Sequence, residues 1–101
     1  MGRDAAAGEF GVAVSTARPA VGALVPHVCL HGAIATQAFV NIELGLRGIE
    51  AVARGVPVDG ALEDLLAEDP RPALRQVHGV DGGGRIFAHT GGECVPWAGH
   101  R

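Results

Sequence analysis

The 101-residue sequence contains no lysine and no tyrosine, and it has only one tryptophan, three phenylalanines and two cysteines. With so few aromatic residues, the predicted core consists of Val, Leu, Ile and Ala side chains. The eight basic residues are arginines scattered along the chain, and the net charge is −3. Because nucleic-acid-binding domains cluster their positive charge on one face, this scatter argues against nucleic acid as a partner.

Other kinds of sequence signal are also missing. No run of 18 apolar residues is present, so no membrane span is predicted. The first ten residues lack the apolar segment of a secretory signal, and a cytoplasmic location is expected. Cys29 and Cys94 are too few for a disulfide framework, and the five histidines lack metal-site spacing. We therefore expect free thiols, no metal and no cofactor.

Local patterns predict four strands and two helices in one domain covering residues 1–101. The strands fall at residues 10–17, 32–38, 75–80 and 85–89, with turns at residues 5–8 and 81–84. A partner strand before the first turn would be absent or very short. Residues 21–28 are predicted to be an irregular connecting segment. Helical spacing of apolar residues predicts two helices, at residues 43–54 and 58–68. The first places Leu46, Ile49, Val52 and Ala53 on one face.

The order of these elements predicts the fold class. Strands precede and follow a block of two helices instead of alternating with them. This order favours an α+β fold in which both helices pack on one face of an antiparallel sheet, through Ile49, Val52, Leu62 and Leu65.

Candidate functional side chains lie near the ends of the predicted strands. Gln37 and Asn41 could bind a carbonyl or carboxylate, or they could cap the sheet and the following helix. Residues 89–101 combine three glycines with Cys94 and the single tryptophan, Trp97. Cys94 could act as a nucleophile with His89 or His100 as its base, or it could be a small thiol packed beside Trp97.

Four segments together resemble the bacterial domain-of-unknown-function 1028 family in order and spacing. They are GEFGVAVSTARPAVGALVP at residues 8–26, GAIATQAFVN at 32–41, RQVHGVD at 75–81 and HTGGECVPWAGHR at 89–101. The resemblance implies an α/β/β/α sandwich like that of N-terminal-nucleophile (Ntn) hydrolases, whose first residue attacks an amide. Family-typical positions are matched by Thr16, Gln37, Asn41, His89 and Cys94. Thr16, Gln37, Asn41 and Thr90 are the candidate ligand-binding residues.

The resemblance also suggests a partial domain. Family members have a further strand ahead of Arg3 and continue well past Arg101, so the chain is expected to be the front half of the fold. Met1 and Gly2 carry no side-chain nucleophile, which predicts an inactive Ntn-like protein. The alternatives are a non-catalytic binding or scaffold module and a fragment of a split or mis-annotated gene.

Two kinds of partner are expected. The ligand would be a small molecule or a peptide-like compound. A half-sandwich would also leave one apolar sheet face uncovered, which predicts self-association into a homo-oligomer.

Overall fold

The chain forms an α+β fold, seen in a computed structural model that describes residues 1–99. A two-stranded antiparallel hairpin consists of β1 (Gly2–Asp4) and β2 (Glu9–Gly11). The main antiparallel sheet has the order β3 (Pro26–Cys29), β4 (Gly32–Ala38), β5 (Arg75–Asp81) and β6 (Ile86–Thr90). Helices α1 (Ile42–Ala53) and α2 (Val58–Glu68) lie between β4 and β5 in the chain.

Both helices pack on one face of the main sheet, as the element order predicts. Ile34 of β4 and Val77 of β5 are fully buried and join aliphatic side chains of both helices in one core cluster. The helical members of that cluster are Leu44, Val52, Val58, Leu62, Leu65 and Leu66. Neither helix in residues 1–99 is long and apolar enough to cross a membrane.

Helix α1 buries a different stripe from the predicted one. Leu46 is 50% exposed and Ala53 is also exposed, so the assignment of these two residues to the buried face is wrong. The buried stripe includes Leu44, Gly48 and Val52 at four-residue spacing. The helix approaches the sheet at Gly48, where a Cβ atom would lie 2.8 Å from Ile34 Cδ1. This close approach at a residue without a side chain explains the rotation of the stripe.

The prediction of the first strand is wrong in extent and in its placement in the main sheet, whereas a very short partner strand does precede the turn. Strand structure covers Glu9–Gly11 instead of residues 10–17, and it pairs with β1 outside the main sheet. The register pairs Gly2 with Gly11, so residues 12–17 have no pairing strand within residues 1–99.

The fourth strand of the main sheet is β3, which begins inside the segment predicted to be irregular and ends one residue after it. Only Val21–Ala23 of that segment forms a 3-10 turn. β3 begins at Pro26 and pairs with β4 on one side only. Proline is tolerated at the first position of an edge strand, where its missing N–H removes no ladder hydrogen bond.

The sheet face opposite the helices is called the free face here. Strand β2 of the hairpin contacts β3 and β4 of the main sheet. The Arg3 Nη2 atom donates a hydrogen bond of 2.7 Å to the Gly82 carbonyl oxygen, which attaches the hairpin to the turn between β5 and β6.

The buried Asp81 side chain joins that same turn to the start of α2. Its Oδ1 atom accepts a 3.0 Å hydrogen bond from the Arg85 N–H, and Oδ2 accepts one of 3.1 Å from the Val58 N–H. Pro57, at the N-cap of α2, provides no side-chain acceptor. Asp81 therefore caps the helix from a distant strand.

We predict opposite stability effects for two glycine-to-alanine changes. The Cβ of Gly79→Ala would collide with Val58 Cγ2 and lie 2.8 Å from Leu62 Cδ1, so the free energy of unfolding should fall by about 1–3 kcal/mol. In the control, Gly60→Ala on α2, the new Cβ meets no atom within 4 Å, and helix propensity should add about 0.5–1 kcal/mol. Urea denaturation measures both. Equal effects would contradict the close packing of β5 against α2.

Candidate functional site

Three polar side chains form a row across the free face at one end of the main sheet. The strand register pairs Gln37 of β4 with Gln76 of β5, and Gln76 with Thr90 of β6. Side chains alternate between the two faces of a strand, and Ile34 and Val77 face the helices. Gln37, Gln76 and Thr90 therefore lie on the free face, and we call them the polar row.

Hydrogen bonds hold the middle of the polar row in place. The Gln76 Nε2 atom donates to Thr90 Oγ1 at 3.2 Å and to the Gly99 carbonyl oxygen at 2.9 Å. The second bond brings the segment after β6 back to the sheet. By contrast, the Gln37 carboxamide makes no hydrogen bond to any residue in 1–99 and is only partly buried. It offers both a donor and an acceptor to a ligand.

The next row along the free face has small side chains around a histidine. The strand register places Ala35 and Ala88 on either side of His78, two residues along each strand from the polar row. Two methyl side chains leave more room beside an imidazole than larger residues would. Ala35 is buried and His78 is half-buried, so Ala88 is the exposed member of this row.

Asn41 lies at the same end of the sheet, where it has a structural role. Its Oδ1 atom accepts a hydrogen bond of 3.1 Å from the Glu43 N–H and caps α1. Its Nδ2 atom donates to Asp69 Oδ2 at 2.8 Å. Both ends of the Asn41 side chain are thus engaged within the protein.

Asp69 and Arg75 form a buried ion pair that the sequence analysis did not anticipate. Arg75 Nε lies 3.0 Å from Asp69 Oδ2, and the two side chains are 5% and 0% exposed. Arg75 Nη1 also donates to the Phe39 carbonyl oxygen at 2.6 Å. We call Asn41, Asp69 and Arg75 the Asp69 network. A sequence signal existed, since Arg75 stands two residues before the core position Val77 and so shares its face.

The pKa of Asp69 reflects this environment. Burial alone would raise the pKa of the carboxyl group. Hydrogen bonds from the Arg75 guanidinium, the Asn41 amide and the Arg71 N–H outweigh burial and hold the pKa below its ordinary value. Asp69 is therefore a charged structural group at neutral pH.

His89 and Cys94 are not arranged as a base and a nucleophile. His89 Nε2 lies 3.0 Å from the Pro72 carbonyl oxygen, and Cys94 Sγ donates to the Arg75 carbonyl oxygen at 3.5 Å. No hydrogen bond joins the two side chains within residues 1–99. Trp97 is fully exposed, so the predicted packing of the thiol beside it is wrong. His100 lies outside the described residues.

Two further expectations can be placed on the structure. Thr16 is exposed in the segment after β2, and its hydroxyl makes no hydrogen bond within residues 1–99. The same described part of the chain contains no group of three or more His, Cys, Asp or Glu side chains that could hold a metal ion.

Comparisons with known proteins identify the family of this chain, and that family has no known function. The profile of the family of unknown function DUF1028 matches residues 1–101. The crystal structure of a DUF1028 protein from Silicibacter pomeroyi is similar, with a TM-score of 0.70 and 26% sequence identity. The match covers 76% of this chain and 36% of that protein, so the chain spans well under half of the relative's length. A search of curated proteins gave no match.

We predict that Asp69→Asn destabilises the protein most strongly at neutral pH. The change leaves the Arg75 charge buried without its partner, which should cost about 3–5 kcal/mol. Folding lowers the pKa of Asp69. Its carboxylate therefore contributes fully to the free energy of unfolding above the pKa of the unfolded state, about 3.9, and this contribution is lost as the pH falls through the lower pKa of the folded state. Urea denaturation at several pH values measures the difference from wild type.

The matched control is Asp59→Asn, which removes the half-buried partner of the exposed Arg85 and should have a much smaller effect. If the difference in the free energy of unfolding between Asp69→Asn and wild type stayed constant down to strongly acidic pH, the carboxylate charge would not be the cause of the destabilisation.

Proposed function

This chain belongs to the DUF1028 family of unknown function, and we propose that its free sheet face binds a small amide- or carboxylate-bearing ligand. The proposal is a binding role, in which the chain's own residues carry out no covalent step. The observation that carries it is the polar row, in which two carboxamides and a hydroxyl stand in register across three strands.

The chemistry of the polar row favours this class of ligand. A carboxamide pairs with an amide through one donated and one accepted hydrogen bond, and it can donate to a carboxylate. Gln76 is already oriented by Thr90 and Gly99, while Gln37 has its full hydrogen-bonding capacity available. The resemblance to Ntn hydrolases, whose substrates are amides, supports a small-molecule or peptide-like amide as the ligand.

Amide hydrolysis is the alternative function, and the side-chain geometry favours it less. The two groups best suited to nucleophilic chemistry, His89 and Cys94, both face main-chain carbonyl oxygens. The two free thiols, Cys29 and Cys94, suit a reducing compartment and support a cytoplasmic location.

We predict that amide ligands perturb the side-chain signals of Gln37 and Gln76. The chain has two Gln and one Asn, so a ¹H–¹⁵N NMR spectrum contains only three side-chain carboxamide pairs. Titration with N-acetylglycinamide, and separately with acetate, should shift both Gln pairs. The Asn41 pair is an internal control because both the nitrogen and the oxygen of its carboxamide are bonded within the protein.

Two variants test the assignment. Gln37→Ala should weaken the affinity about fivefold, the effect of one neutral hydrogen bond. Thr16→Ala, which removes an exposed and unbonded hydroxyl, should leave it unchanged. Perturbation of Asn41 without the two glutamines would contradict the proposal. Turnover of amide substrates that is lost in Cys94→Ala would replace it with a cysteine hydrolase.

We also propose that the free face associates with a second copy of the chain. Val28 on β3 and Ile86 on β6 are 52% and 76% exposed, and the register places both on the free face beside buried Ala33 and Val80. Aliphatic side chains at both edges of one sheet face favour burial against another apolar surface.

Ile86→Lys should therefore shift the protein towards monomer, as measured by size-exclusion chromatography with light scattering. The matched control is Leu46→Lys on the exposed side of α1, which should leave the oligomeric state unchanged. A monomeric wild-type protein, or equal effects of the two variants, would count against this interface.

A further inference from the structure

A cleft of about 520 Å³ lies at the end of the main sheet away from the polar row. Three connections meet there: residues 54–57 between the helices, His31 between β3 and β4, and residues 81–85 between β5 and β6. Gly32 begins β4 at this end and Gln37 stands five residues further along, about 17 Å away. The cleft is therefore separate from the proposed ligand site.

The acidic side chains around the cleft already have partners. Both oxygens of Asp81 accept main-chain hydrogen bonds, from Arg85 and Val58. Asp59, next to the cleft, lies 2.8 Å from Arg85 Nη1 and neutralises that guanidinium. Asp81 keeps its negative charge, because its donors are neutral N–H groups, but both of its oxygens are occupied by these hydrogen bonds.

Arg54 is a second arginine in the cleft lining, beside Arg85. Its side chain makes no ion pair or hydrogen bond within residues 1–99. Arg54 also borders an outer groove beside Glu50, Asp64 and Glu68, and none of these carboxylates pairs with it. The Arg3 guanidinium donates to the carbonyl oxygen of Gly82, which is a residue of the cleft lining.

The turn between β5 and β6 adds a main-chain donor. The Gly83 N–H makes no hydrogen bond among residues 1–99, and Gly83 has no side chain to keep a ligand away from it. Arginine guanidinium groups and an open N–H are the donors that phosphate and carboxylate oxygens accept from.

We propose that this cleft binds an anionic group, a phosphate or a carboxylate, through Arg54, Arg85 and the Gly83 N–H. The volume suits a small molecule, because ligand pockets commonly measure about 300–1,000 Å³. This site is independent of the ligand proposed for the polar row.

The test is a ¹H–¹⁵N NMR titration of the whole chain with sodium phosphate and, separately, with sodium acetate, each against sodium chloride at matched ionic strength. Saturable shifts at the amides of Val56, Gly82, Gly83 and Arg85 are expected with at least one of the two anions. The anion that binds identifies the ligand group. Shifts of the Gln37 and Gln76 carboxamides would instead report the other site, so the two proposals fail separately.

Two charge-matched variants decide which residue binds. Arg54→Gln should weaken the affinity about tenfold, as expected for losing one charged hydrogen bond. Arg47→Gln also removes one positive charge from the region of α1, but Arg47 lies in the outer groove, where it pairs with Glu68. This variant should leave the affinity unchanged. Equal effects of the two variants, or shifts no larger than those with chloride, would overturn the proposal.

Discussion

The buried ion pair between Asp69 and Arg75 constrains the whole end of the molecule that carries the polar row. Asp69 follows α2, Arg75 begins β5, and Asn41 begins α1, so one carboxylate joins three connections. Removing one member would leave a charge or a polar group buried without a partner, which is costly. Gln76 is the next residue after Arg75, and its position across from Gln37 depends on this anchoring.

The sequence predicted those elements whose signals are local. Helix α2 was predicted with its observed limits, Val58–Glu68, because its apolar spacing and the flanking prolines agree. The β5–β6 hairpin followed from strand patterns on both sides of a glycine-rich turn. β3 was not predicted, and β1 was expected only as an absent or very short strand, because their pairing depends on distant or very short segments. Periodicity within a single segment contains no information on such pairing.

The candidate site was predicted only in part. Gln37 and Thr90 were identified from their positions near strand ends, and the register places them in one row. Gln76 was missed because it lies inside a strand whose neighbours are apolar, and only the pairing reveals what stands opposite it. Asn41 was identified as well, although its partners show a structural role. A buried charged pair such as Asp69 and Arg75 is difficult to predict, since charged residues are usually exposed.

The capping of α2 by Asp81 has a consequence for local unfolding. Val58 and Asp81 are separated by 23 positions in the chain, yet one hydrogen bond joins the first turn of the helix to the end of β5. If the β5–β6 turn opens, Arg85 and Val58 lose the same acceptor together. The hairpin turn and the helix start therefore belong to one cooperative unit, whose amide protons should exchange with solvent through a common opening. That unit forms two walls of the arginine-lined cleft, so its opening would dismantle the cleft while leaving the Asp69 network in place.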